Sequence, residues 1–304
     1  MSHAVVLFAA LLLDAALGEP AWLWSRIPHP AVVMGRLIGW FDRVFNHGKY
    51  RLFVGALGFG IMVVIAWVLG VVLAGLPGGA AIELAFAAIL IAQKSLAQHV
   101  RAVADALRLS VTDGRTAVAQ IVGRDVRDMD EPAIARAAIE SAAENLSDGV
   151  IAPAFWFLLL GLPGLLVYKL TNTADSMIGY LTPRHAEFGK AAARFDDVIN
   201  WVPARLTAGL ILLARLQPGA WRILRRDAPL HRSPNAGWPE AAMAATLGVA
   251  LSGPRSYEGE MRAFPWVNGD GRRAAGADDI DRAVSTLWRV WAVAAVLVAL
   301  ITVA

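Results

Sequence analysis

From Arg51 to Glu83 the chain reads RLFVGALGFGIMVVIAWVLGVVLAGLPGGAAIE, with no charge between its two ends. Each residue adds about 1.5 Å of helix, so roughly 20 apolar residues cross a bilayer core. The stretch therefore holds a span at 52–75. Pro77-Gly78-Gly79 then turns the chain, because Pro cannot continue a helix and Gly accepts positive φ. A second helix is expected at 80–97, which makes a helical hairpin. The fold class that follows is all-α: a multi-pass integral membrane protein.

Working outward, two more charge-free runs stand out, Gly149–Tyr168 and the stretch after Arg289. Hydrophobic residues fill 57% of 304 positions and charged residues only 17%, against about a quarter charged in a soluble domain. Membrane helices are expected near 4–18, 52–75, 80–97, 150–181, 205–216 and 288–304. The run at 150–181 is broken at 161–164 by Gly-Leu-Pro-Gly, which reads as two short helices, re-entrant in one reading. About 4–6 membrane helices result, since the shorter runs leave open whether they span. Polar loops at 19–51, 98–149, 184–204 and 217–287 build one face, and residues 1–304 form a single membrane domain. Asp130 reads as a helix N-cap, with Pro132 in the first turn.

The net charge of +3 is too weak and scattered for a nucleic-acid partner; the lipid bilayer is the partner that composition implies. Absence of cysteine excludes disulfides and thiol chemistry. The N-terminus lacks a basic region, and Asp14 interrupts its apolar stretch, so it is expected to be retained. Lys and Arg flank the uncharged turn at 77–79, so the positive-inside rule puts 19–51 and 98–149 in the cytoplasm. A re-entrant 150–181 puts 184–204 there too. No phosphate loop, nucleophile elbow or zinc-protease motif is present.

Four clusters carry possible chemistry. Glu140, Glu144 and Asp148 recur at i,i+4, stacking three carboxylates on one helix face beside Asn145 and Ser147. A divalent cation neutralises such a stack; a solvated face with partners such as Arg136 is the plainer account. Lys169, Asn172, Asp175 and Ser176 lie on one side of a helix next to the bilayer, where ionisable groups are costly and point to function. A buried Lys169–Asp175 pair that only fixes packing is the alternative. Arg194, Asp196, Asp197, Asn200, Trp201 and Arg205 form the third cluster, read either as an anion fork or as capping and surface pairing. The fourth, Ser233–Glu240, holds Asn235 and Glu240 on a Pro/Gly-defined turn, though Glu240 also suits the first turn of a helix. His29 before Pro30 is a base, a ligand or a packed residue.

These clusters sit inside longer stretches that resemble the adenosylcobinamide-phosphate synthase family of cobalamin biosynthesis. The stretches are HPAVVMGRLI from His29, IVGRDVRDMD from Ile121, ESAAENLSDGVIAPAFW from Glu140, YKLTNTADSMIGY from Tyr168, FGKAAARFDDVINWVPARLT from Phe188 and SPNAGWPEAAMA from Ser233. They occur in order, and the similarity runs to about residue 285. The resemblance implies an amide ligase of the bacterial cytoplasmic membrane, with its active face cytoplasmic. It joins the propionate of adenosylcobyric acid to (R)-1-amino-2-propanol or its O-phosphate, giving adenosylcobinamide (phosphate), with ATP as co-substrate and Mg²⁺ as metal. It also admits a homo-oligomer and a complex with other late corrinoid-pathway enzymes.

By that likeness Glu140, Glu144 and Asp148 hold Mg²⁺, and Asp197 or Glu240 is the base. Lys169 and Asp175 join the catalytic set. His29, Arg36, Asn145, Asn172, Arg194, Arg205 and Asn235 bind substrates, with Lys169, Arg194 and Arg205 on phosphate or the corrinoid carboxylate. Two competing readings are a transporter, which needs polar residues along the middle of several spans, and a non-catalytic membrane regulator or scaffold, which only an activity measurement separates from the ligase.

Overall fold

A computed structural model describes residues 2–257 and 260–303. In chain order its helices are α1 (His3–Leu17), α2 (Ala21–Trp24), α3 (Pro30–Phe45), α4 (Arg51–Gly75), α5 (Gly79–Leu90), α6 (Gln93–Leu109), α7 (Val111–Val118) and α8 (Glu131–Leu146). A π turn at Ser147–Ile151 leads into α9 (Ala152–Ile178), followed by α10 (Lys190–Ile199), α11 (Trp201–Ala214), α12 (Trp221–Asp227) and α13 (Gly237–Leu247). Four short strands, β1 (Leu251–Ser252), β2 (Arg255–Tyr257), β3 (Glu260–Arg262) and β4 (Trp266–Val267), precede α14 (Ala277–Val303). β1 pairs antiparallel with β4, Leu251 opposite Val267, and β2 with β3, Arg255 opposite Arg262.

The protein is an all-α, multi-pass membrane protein. Among the described residues four helical runs are long and apolar enough to cross a bilayer: Arg51–Gly75, Gly79–Leu109, Glu131–Ile178 and Ala277–Val303. A fifth is made if α10 and α11, bent by 44°, count as one span.

The chain divides into two compact units. The first comprises Met1–Ala92, Ala152–Trp201 and Val298–Ala304; the second comprises Gln93–Ile151 and Val202–Leu297.

In the first unit α4 packs along α9, and α1 along α5. At Gly70 the two backbones come so close that an added Cβ would lie 2.5 Å from the Cα of Pro163. The expected break in α9 falls at Gly161, whose φ of 63° and ψ of −152° leave the helix. Pro163 follows, so hydrogen bonds of this turn are lost. The buried carboxylate of Glu83 accepts from the Leu162 N–H at 3.4 Å, supplying in the protein interior what lipid cannot.

Several expected boundaries are corrected. The polar loop at 19–51 contains α3, begun by His29 as N-cap and Pro30 at the first position. Its charged residues interrupt the apolar pattern, yet Ile38 and Phe41 face inward at helical spacing. The loop at 184–204 contains α10, whose Ala192, Asp196 and Ile199 are buried at i, i+4 and i+7. The helix expected at 80–97 stops at Leu90 and a new one starts at Gln93. The final helix begins at Ala277 rather than 288, because its first turns carry Asp278, Asp279, Asp281 and Arg282. Residues 98–149 are mostly helical, in α6, α7 and α8.

The second unit is built around α8. Asp130 caps it, accepting from Ala133 N–H at 2.9 Å, and Pro132 lies in the first turn, both as expected. Seven of its side chains from Ile134 to Ala143 other than Glu140 and Ser141 are buried alanines or isoleucines. Such small faces let α6, α7, α13 and β1 approach closely.

Candidate functional site

In the second unit the polar residues of α8 and α13 meet the segment that starts β2. Glu140 is buried on α8, yet three donors reach it. Arg124 Nη2 donates to Oε2 at 2.8 Å, the Ser252 backbone N–H donates to Oε1 at 2.7 Å, and Arg255 Nη1 lies 3.3 Å from Oε2. These charge-assisted bonds replace the water a buried carboxylate would otherwise need.

Glu240 is buried on α13, as the sequence allowed for a first-turn acid. Its Oε2 lies 3.6 Å from His231 Nε2, and its Oε1 has no partner among the described residues. Burial, then the like charge of Glu140, pushes its carboxyl well above the usual carboxylate range; Arg255 opposes this and Glu144 adds to it. His231 is held below its ordinary value, chiefly by burial. Its Nδ1 accepts from the Ser233 N–H at 3.0 Å, so the neutral ring carries its proton on Nε2, toward Glu240.

Beside this group Arg205 donates to Asn235 Oδ1 at 3.2 Å and stacks over Trp238, 4.8 Å from the ring centre. Two residues drawn from different sequence clusters thus meet. Asn145 donates to the Ser141 backbone oxygen at 2.9 Å and remains exposed.

The three carboxylates expected to hold Mg²⁺ do not make a cage. Glu140 is engaged by arginines, Glu144 is exposed, and Asp148 lies beyond α8 in the π turn that starts at Ser147. Among the described residues no three His, Asp or Glu side chains converge as a metal set. The donor set of this chain does not fit a protein-held magnesium at Glu140, Glu144 and Asp148.

In the first unit a second polar network joins α9 to α10. Tyr168 donates to Asn200 Oδ1 at 3.0 Å, and Asn200 donates to Asp196 Oδ2 at 2.9 Å. Asn172 lies within hydrogen-bonding reach of Asp196, and Asp175 and Asp197 act on it electrostatically. Asn172 and Asp175, of one sequence cluster, and Asp197, of another, thus all act on Asp196. Asp196, Asn200 and Tyr168 complete the network without having been assigned roles from sequence.

Lys169, on the same helix, lies near His29. His29 accepts from the Ala31 N–H at 3.1 Å and packs edge-on against Trp24, so its first task is to start α3. Burial holds it below its ordinary value, with Lys169 adding to the effect and Glu19 opposing it. Arg36 and Arg194 are exposed, and no described contact draws them into either network. Arg124, Arg255 and His231 escaped the sequence reading. Arg124 and Arg255 are far apart in the chain and no periodicity links them; the only signal for Arg124 was its place in the stretch from Ile121.

A family model described as CobD/Cbib protein matches residues 7–287. The cobalamin biosynthesis protein CobD of Brucella anthropi is 50% identical over 301 residues, covering 93% of this chain and 92% of that protein. CobD of Rhizobium meliloti is 48% identical, over 93% and 92% of the two chains. That of Rhodobacter capsulatus is 46% identical over 88% of each. No solved structure matches the chain.

Proposed function

Because the chain belongs to the CobD/Cbib family of cobalamin-biosynthesis proteins, we propose that it catalyses ATP-dependent amide formation between the propionate of adenosylcobyric acid and an aminopropanol or its phosphate. One carboxylate oxygen leaves with the phosphoryl group of ATP, the C–O bond breaks and a C–N bond forms. ADP and phosphate are the other products, and the amine gives up a proton. The observation that carries this reading is the buried Glu240, whose carboxyl is raised toward neutrality beside Glu140, Arg124 and Arg255. A base tuned near the working pH accepts a proton from the amine effectively, and guanidinium groups suit the carboxylate and phosphate charge of the partners. Asp197 in the first unit is the alternative base. No step is assigned to a protein-held metal. The working face is the cytoplasmic one of the inner membrane.

The test uses purified protein in lipid with adenosylcobyric acid, aminopropanol phosphate, ATP and Mg²⁺, with the product followed by mass. A new amide that requires ATP establishes the ligase. Corrinoid binding without product points to a scaffold. Glu240→Gln and Asp197→Asn then identify the base: loss of about 10²-fold or more in kcat is expected for the true one.

A further inference from the structure

Three arginines converge in the second unit, where α11 ends and α14 turns apolar. α14 buries Ile280, Ala283, Leu287 and Val290 on one face. Away from that face it presents Arg282 and Arg289, two turns apart and both exposed. Arg215 follows the last residue of α11 and donates from Nη2 to the Arg282 backbone oxygen at 3.2 Å. Burial, then the like charges of Arg289 and Arg282, holds its guanidinium below its ordinary value.

Carboxylates do little to balance this group. Among the described residues Arg282 has one, Asp279 at 3.1 Å, and Arg272 shares it at 2.6 Å. No described ion pair includes Arg215 or Arg289. The Arg215 Nε is buried without a partner among the described residues, which leaves Nη1 as the donor for a ligand. Like charges held together raise the free energy until an anion joins them, and guanidinium forks match phosphate oxygens.

The surroundings select the anion. No charged residue follows Arg289, so it stands where the apolar run of α14 begins. The rings of Trp288 and Trp291 meet beside it at 5.8 Å, aromatic side chains of the kind that mark a membrane interface. Leu216 ends α11 with a φ of 53°, at the left-handed position where glycine is usual, and the Gln217 N–H closes on the Leu212 oxygen at 3.0 Å. A leucine is strained there, and it is 82% exposed. Water does not favour that side chain; acyl chains do.

We propose that Arg215, Arg282 and Arg289 bind the phosphate of an anionic phospholipid headgroup, with Leu213 and Leu216 against its acyl chains. The site shares no residue with either polar network and does not depend on the ligase reading.

Native mass spectrometry tests it on the full chain in neutral detergent, titrated with phosphatidylglycerol or phosphatidylcholine. Phosphatidylglycerol is expected to bind about tenfold tighter or more. Arg289→Gln and Arg215→Gln are each expected to weaken it by about fivefold and to spare phosphatidylcholine, with Arg289→Lys between Arg289→Gln and wild type. Arg101→Gln removes the same charge from an exposed position on α6, and a change of less than about twofold is expected. Arg289 is exposed, so Arg289→Gln should melt like wild type in neutral detergent and gain less from added phosphatidylglycerol. Equal binding of the two lipids overturns the site. So does equal weakening by Arg101→Gln and Arg289→Gln, which would reduce the effect to net charge. Displacement of phosphatidylglycerol by inorganic phosphate would make the ligand a soluble anion and overturn the lipid assignment.

Discussion

Glu240 and Glu140 are both buried, unlike an ordinary surface carboxylate. Glu240 keeps its proton in the folded protein at a pH where the unfolded chain has released it. The folded state therefore binds more protons than the unfolded one above the ordinary value of 4.5, and stability falls as pH rises through the window up to the raised value. Glu240→Gln removes that loss. Its melting temperature in detergent should exceed wild type by about a few degrees at high pH and converge with it in acid, as thermal scans across pH would register. Glu140 instead neutralises two arginines. Glu140→Ala strands them, at a cost of about 3–5 kcal/mol, and added Mg²⁺ should not rescue its stability in chemical denaturation. Both acids were evident in the sequence as members of separate clusters. Their joining was not, because Arg124 and Arg255 reach Glu140 from distant segments that share no spacing. Periodicity also treated Glu140, Glu144 and Asp148 as one face, whereas α8 ends at Leu146 and Asp148 belongs to the π turn after it.

Helices differ in how openly they announce themselves. α4 is visible in composition alone, since it needs only length and the absence of charge. The interruption of α9 was visible in Gly161-Leu162-Pro163-Gly164. What the sequence did not disclose is the acceptor, Glu83 on α5, that makes the interruption tolerable. α3 and α10 were hidden for a different reason: each mixes charge with apolar residues, and such stretches resemble loops until something is placed against their inward side. Two variants examine the break. Gly161→Ala forces a side chain into positive φ and against His3, whose Nε2 would be 2.6 Å from the new Cβ, so destabilisation of at least about 1–2 kcal/mol is expected from thermal unfolding in detergent. Glu83→Leu leaves the Leu162 N–H without its acceptor in apolar surroundings and should cost about as much or more. Wild-type melting in both would show that the turn holds by Pro163 alone.

For the molecule as a whole, the positive-inside rule predicts that 19–51 and 98–149 are cytoplasmic, and a re-entrant 150–181 adds 184–204 to that side; a cysteine placed at Ala186 should then resist an impermeant thiol reagent in intact cells and react once the membrane is opened. Efficient labelling from outside would reverse that assignment. The absence of native cysteine makes the experiment clean. Multi-pass class could be read from hydropathy, whereas the division into two units could not, because it depends on which distant segments pack together.

That division has a genetic corollary. Each unit draws on separated stretches, residues 1–92, 152–201 and 298–304 for one and 93–151 and 202–297 for the other. Any single crossover within these residues divides at least one unit between two parents, and no one contiguous exchange transfers one unit without part of the other. Modules of such a protein cannot be traded by simple recombination as beads on a string are; a chimaera made by one crossover between relatives joins segments of different parentage inside at least one unit.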